Sequence, residues 1–307
     1  MWNQFINRLL SLIFVLFSVS LIVFLFIHLI PGDPVEVILG EKAQTADREA
    51  LTIALGLDQP LIIQWQNYMS GLLQGDLGSS LINRRSVSSL IIERLPASIE
   101  LAVMAFIIAV LIAFPLGLLA AVRKGSGWDY SASSFALIGV GVPNFVFGPL
   151  LILIFSVYLG WLPVSGRDSF WSVLLPALTL GTALAAILSR MLRSSLLEVL
   201  SEDYIRSAHA RGLSPTRVLL QHGVRNALLP MITLSGLQLG ALLAGAVITE
   251  KVFDWPGLGR LIIEAIQTRD YPLLQGCVLT ISVIYVSINM LTDTLYHLID
   301  PRLRRAT

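Results

Sequence analysis

The sequence predicts an all-α membrane protein, a polytopic bundle of six transmembrane helices. Of 307 residues, 55% are hydrophobic and 13% charged, whereas a soluble domain carries about 25% charged residues. Six windows of roughly 20 residues are nearly free of charge and long enough to cross a bilayer as helices: 9–30, 99–122, 134–159, 172–189, 231–249 and 276–299. The segments between them alternate in sign. The N-terminus, 123–133, 190–230 and 300–307 hold twelve basic and five acidic residues, a net of +7. Segments 31–98, 160–171 and 250–275 hold nine basic and thirteen acidic residues, a net of −4. Basic loops stay in the cytoplasm, so both termini and segment 190–230 are expected inside.

The first span, 9–30, follows Arg8 in the order of a signal peptide. Its apolar run is longer than the about 7–15 residues of a signal core, and bulky FIHLIPGDP follows where small residues mark cleavage. A retained helix is therefore expected. Segment 31–98 reads as an extracytoplasmic cap: DREALTIALGL has helical spacing, LDQP stops it, LIIQWQNYMSGLL is amphipathic, and GDLGSS is turn chemistry. It is small, so it is expected to pack on the membrane portion.

In the third span, GVGVPNFVFGP brings Pro143 and Asn144 into a run of glycines and prolines. A kinked helix there allows close packing, and a substrate path beside the kink is the second reading. Asn144, Gln238 and Asn289 are the polar groups expected at mid-membrane depth, as interhelical hydrogen bonds or as path contacts. The fourth window is the shortest. The sixth contains Asp293 with His297 one turn on, an interfacial pair or a proton relay. The lone Cys277 excludes an intrachain disulfide.

Between the fifth and sixth spans, Glu250 to Pro272 is too long for a minimal connection. Pro256 and Gly257 make a turn, and LGRLIIEAI supplies a short amphipathic helix. Phe253, Asp254, Trp255 and Arg260 are expected to dock an external protein or close an outer gate. The alternative is an aromatic belt in the headgroups.

Enzymatic chemistry is missing from the pattern. The lysines are Lys42, Lys124 and Lys251, none in a P-loop; there is no HExxH; His28, His209, His222 and His297 lack metal-ligand grouping. No catalytic, cofactor or metal residue is expected.

Between 190 and 230 lies a basic hairpin. Asp203–Ala210 is helix-compatible, Gly212 suits a C′ turn, Ser214 a cap and Pro215 the first turn of a second helix. The first helix is too short to be stable alone in water. Lipid headgroups or a protein groove must hold it. Ser207, Ala208 and Ala210 interrupt any bulky apolar face, which favours a protein groove.

RSAHARG at 206–212 followed by LLP at 228–230 resembles the cytoplasmic loop of importer-type ABC transporter permeases. GDP, LGLDQPL, GDLGSS, RLPASIEL, FSVYLGWLP, SEDYIRSAHARGL, RNALLPMIT, VFDWPGLGRL, RDYP and DPRLRR, in order along the whole chain, resemble the dipeptide, oligopeptide and nickel permease family. Arg206 stands where the general loop begins with Glu, as in that branch; Ser86-Val87 departs from the Pro-Val often found in its outer segment. The resemblance implies a type I ABC importer permease fold with an N-terminal helix 1–30, a cap 31–98, a core 99–299 carrying coupling loop 190–230, and a cytoplasmic tail 300–307. It also implies a bacterial inner-membrane address, membrane lipid around it, a second permease, two ATPase subunits that bind the ATP, and an extracytoplasmic binding protein, with no nucleic acid. Asp203, Tyr204, Arg206, Ala208, Arg211 and Gly212 are the expected ATPase-contact residues, and Pro143, Asn144, Gln238 and Asn289 the translocation path. Dipeptides or oligopeptides lead as substrate, with glutathione or a nickel chelate as alternatives. An ATPase-independent secondary transporter or channel is the other class; it would want inverted repeats, which the sequence does not display.

Overall fold

The computed structural model describes residues 2–29, 34–39 and 44–299. Its elements are α1 (Trp2–Leu29), α2 (Pro34–Leu39), α3 (Thr45–Ala54), α4 (Leu61–Leu73), α5 (Val87–Val122), α6 (Gly127–Gly141), α7 (Asn144–Leu151), α8 (Leu174–Leu200), α9 (Asp203–Ala210), α10 (Pro215–Arg217), α11 (Arg225–Gly245), α12 (Val247–Val252), α13 (Leu258–Gln267) and α14 (Tyr271–Ile299). Two π-helical stretches, Ile152–Tyr158 and Val218–Val224, continue α7 and join α10 to α11. Extended pairing among the described residues is limited to one antiparallel bridge, Ser79 with Ser86.

Four helices are long and apolar enough to span a membrane, and five if the bent pair α6–α7 counts as one span. The expected third span breaks by 106° between Gly141 and Asn144. The cause is local. Pro143 has no N–H to give the helix, and the residue before a proline is pushed out of the α region; Val142 accordingly sits at φ −90°, ψ 116°. The expected fifth span falls on α11, which is not in that set of five. Thr233, Ser235, Gly236, Gln238 and Gly240 dilute its apolar character.

Other boundaries also move. Helix α5 starts at Val87 rather than 99, and its 36 residues extend about 54 Å at 1.5 Å per residue, well beyond a bilayer core. Helix α8 runs on past 189 through Arg190 and Arg193 to Leu200. The side chains of Asp293 and His297, and the tail 300–307, lie outside the described residues.

The chain divides into two compact units. The first combines Met1–Ser98 with Pro256–Ile284. Its core joins Val87, Leu90 and Ile91 of α5 to Leu258, Leu261 and Ala265 of α13 and Leu273 and Cys277 of α14. Gly276 allows the close approach of α14 to α5, because any Cβ there would overlap the Val87 side chain. Buried Asp270 ties the GDLGSS turn to α14: it accepts Ser80 Oγ at 2.5 Å, Leu81 N at 3.2 Å and Leu273 N at 3.3 Å. Helix α4 packs on α1 through Phe24 and Trp65, rings 5.3 Å apart, and His28 Nε2 meets Gln64 Oε1 at 3.1 Å.

The second unit combines Ile99–Trp255 with Tyr285–Thr307. Helix α8 is its hub: 72% of its membrane-length segment is buried, against 17% for α1. The hub position follows from small residues at the crossings. A Cβ on Gly181 would lie 2.8 Å from the Ala105 carbonyl oxygen of α5, and one on Gly139 would lie 2.9 Å from Ala186 Cβ. At its other end α8 is tied to α6, where Arg193 donates to Asp129 at 2.6 and 2.8 Å.

Candidate functional site

The hairpin after α8 is built around a three-residue core. Ile205 and Ala208 of α9 are buried against Val218, with Leu200 and Leu213 packed alongside. The end of α9 is a paired-bond turn: Gly212 N donates to the His209 carbonyl at 2.9 Å and Leu213 N to the Ala208 carbonyl at 3.4 Å. This pattern requires a left-handed residue at C′, and Gly212 has φ +80°. Ser214 then has the extended backbone of an N-cap, but its side chain makes no capping bond; Pro215 starts the next helix as expected.

A second fastening was not legible in the sequence. Tyr204 Oη accepts a hydrogen bond from Asn226 Nδ2 at 2.8 Å, linking α9 to α11. Tyr204 thus fastens α9 through its hydroxyl while remaining 39% exposed. Asp203, Arg206 and Arg211 project outward; Arg206 pairs with Asp203 at 3.3 Å, and both side chains are largely exposed. Arg211 Nε donates to the Ser207 carbonyl at 3.3 Å. The helix therefore turns a small apolar face to its own chain and a charged face away from it.

The expected path residues do not gather in one cavity. Asn144, just after the Pro143 break, lines a cavity of about 260 Å³ with Phe135, Gly139, Phe147 and Thr182. Asn289 lies instead on the stretch of α14 that meets α11, between Tyr285, which Gly240 abuts, and Thr292, which Gly236 abuts; Gln238, two residues from each glycine, sits on the other side of α11. Asn289 Oδ1 is buried with no partner among the described residues. A cleft of about 670 Å³ lies between α6, α8 and α11 and is lined by none of the four.

For segment 250–272 the structure corrects the reading of the two aromatic side chains. Trp255 is 0% exposed and Phe253 2%. Phe253 packs with Leu151 and Leu175, and its backbone carbonyl accepts the Gly166 N–H at 3.0 Å. The Arg167 guanidinium lies 5.8 Å from the Trp255 ring centroid while Arg167 Nε also donates to Glu100 at 2.9 Å. Rings held this way offer no surface to a docked protein or to headgroups. Asp254 follows at φ +51°, and Arg260 pairs with Glu264 at 2.8 Å on α13.

Residues 1–102 match the N-terminal part of the binding-protein-dependent transport system membrane components, and residues 113–305 match the binding-protein-dependent transport system inner membrane component. The chain belongs to this family. It is an inner-membrane permease of the ABC importer class, and a multi-pass one. The glutathione transport system permease protein GsiC of Escherichia coli is 46% identical over 304 residues, 99% of both chains. The protein of the same name from Salmonella choleraesuis is also 46% identical, with the same coverage. Among solved structures, the inward-facing MetNI methionine ABC transporter aligns with a TM-score of 0.59 at 16% identity, covering 69% of this chain and 96% of that one. An amino acid ABC transporter aligns with a TM-score of 0.53 at 18% identity, covering 70% and 94%. At these identities the likeness is one of fold, that of type I importer permeases.

Two features of the permease escaped sequence reasoning. The Asp129–Arg193 pair spans 64 positions, and nothing local in the sequence couples them. Arg190, Ser133 and Ser194 line the large cleft; in the sequence Arg190 read only as one more cytoplasmic charge.

Proposed function

We propose that the permease forms half of the translocation pathway of an ATP-driven importer for a glutathione-like short peptide, with α9 as the element that couples it to an ATPase subunit. The observation that carries the coupling role is the division of α9 into two faces. Ile205 and Ala208, together with the Gly212 turn and the Tyr204–Asn226 bond, hold it to α8 and α11. Asp203, Arg206 and Arg211 are left to meet a partner. A displacement of α9 then passes into α8 and, through Pro215 and the π-helical stretch, into α11. Energy enters as the difference in contacts that the ATPase makes with α9 in two states, and membrane helices exchange inward- and outward-open arrangements.

In this reading six spans cross the membrane, with the bent α6–α7 pair as the third and α11 as the fifth. Both termini and α9 are cytoplasmic, as the charge asymmetry favours. ATP is bound by the ATPase subunits, a second permease completes the path, and an external binding protein delivers substrate. Glutathione replaces dipeptides or oligopeptides as the leading substrate because relatives 46% identical over 99% of the chain carry glutathione in their names. Reconstituted with its partners in proteoliposomes, the permease is expected to support ATP-dependent uptake of glutathione. Uptake of a dipeptide or a nickel chelate with none of glutathione would reject the substrate; uptake without ATPase subunits would reject the coupling.

A further inference from the structure

Helix α8 carries two arginines a single turn apart whose circumstances differ. Arg193 is half-buried, borders the same 670 Å³ cleft as Arg190, and has its charge met by Asp129 at 2.6 Å. Arg190 is exposed on the wall of the 670 Å³ cleft and has no ion pair or hydrogen bond among the described residues. Residues three and four apart share a helix face, so Arg190 and Ser194 point to the same side, and Ser133 of α6 lines the cleft opposite. Apolar Leu137, Met191 and Leu234 complete the wall. A cation in such surroundings gains most from a desolvated anion, and a guanidinium fork matches a carboxylate in two parallel hydrogen bonds.

We propose that Arg190 receives a carboxylate of the transported peptide in this cleft, with Ser133 and Ser194 as neighbouring hydrogen-bonding groups, so that the cleft selects for anionic short peptides. The inference rests on the importer reading above. A peptide with two carboxylates and one ammonium carries net negative charge, and its passage through a low-dielectric interior needs a compensating cation. Arg193 is spent on Asp129. Arg190 is free to serve, and the cleft is large enough for a tripeptide.

The test uses the complete importer in phosphatidylcholine nanodiscs, with Cys277→Ser and Ser194→Cys in this chain. Alkylation of the introduced thiol by a maleimide is followed on this subunit by mass, and S-methylglutathione serves as the probe because it has no free thiol. Protection by S-methylglutathione is expected. The half-protecting concentration should rise roughly tenfold or more with Arg190→Gln, as for loss of a charge-assisted hydrogen bond, and fall back partly with Arg190→Lys. Protection that is absent, or equal in all three backgrounds, overturns the proposal. So does protection conferred by phosphatidylglycerol and not by peptide, which would make the cleft a lipid site. ATP-driven uptake of S-methylglutathione by the Cys277→Ser importer is measured alongside. Uptake without Arg190-dependent protection rejects this inference alone, whereas absence of uptake rejects the substrate reading on which it stands.

Discussion

Helices α9 and α13 are both short, eight and ten residues, yet they are held very differently. Helix α13 contributes Leu258, Leu261 and Ala265 to an eight-residue buried core shared with α5 and α14. Helix α9 contributes Ile205 and Ala208 to a core of three. A short helix gains its stability from tertiary packing, so α13 is part of the framework while α9 is lightly fastened and carries a charged outer face. Conformational coupling draws on the less stable elements of a fold. In the proposed reading the difference separates a helix built to stay from one built to transmit.

The largest expected effects test that separation directly. Leu261→Ala, in the larger core, should cost about 2–5 kcal/mol, as large-to-small core changes do, and lower the thermal unfolding midpoint of the purified permease. Ile205→Ala removes comparable apolar surface from a site with few neighbours, so the midpoint should move much less while substrate-stimulated ATP hydrolysis falls strongly. Equal losses of stability at the two positions would erase the distinction.

The turn after α9 comes next. A Cβ on Gly212 would meet nothing within 4 Å, so substitution there acts through the backbone alone. At φ +80° an L-residue is strained by about 1–2 kcal/mol, a β-branched one more, and Asn least. Gly212→Val should abolish uptake with normal membrane insertion, and Gly212→Asn should retain most of it. Equal activity of the two variants would show that the left-handed turn does not aim the helix.

Charge on the outer face is the third lever. The Arg206–Asp203 pair lies in solvent and contributes little by itself, so both arginines remain free for a partner. If desolvated in an ATPase cleft, each is expected to contribute about 1–3 kcal/mol. Arg206→Ala with Arg211→Ala should weaken co-purification of the ATPase subunits in a salt-dependent way. Unchanged association, with weaker binding to anionic vesicles instead, would assign α9 to the membrane surface.

What could be read from the sequence follows the same physical division. Local rules carried the hairpin: Gly212 and Pro215 announced the turn and restart, and the break at Val142–Pro143 followed from a missing N–H. Long apolar runs located most spans, though their ends were misjudged wherever charge was used as a stop sign. Helix α8 continues through Arg190 and Arg193 because Asp129 receives one of them and a cleft the other. Burial of Trp255 could not be foreseen. An indole beside Asp254 reads as interfacial until the fold supplies Arg167 against the ring and a core for neighbouring Phe253. The ties that span the chain, Asp129 with Arg193 and Ser80 with Asp270, are tertiary facts with no local signature.

The smallest functional effect, and the one that tests the orientation of both helices, comes from thiol labelling. Charge asymmetry assigns α13 to the outside and α9 to the cytoplasm. A reporter must be exposed as well as on the right side, and Leu258 on α13 is 2% exposed, so a thiol there would fail to react from either face. Ile266, on the same helix, is 53% exposed, and Arg211 lies on the exposed side of the hairpin turn. With Cys277 replaced by Ser, the chain's own thiol is gone and each introduced cysteine reports alone. Ile266→Cys should react with a membrane-impermeant maleimide added to intact spheroplasts, with little change in uptake, because that side chain is not part of the α13 core. Arg211→Cys should react only after the membrane is opened. The reverse pattern would invert the topology and move α9 to the side where no ATPase could reach it. Labelling of both positions from outside would leave α13 where it is expected and remove the coupling role from α9 alone.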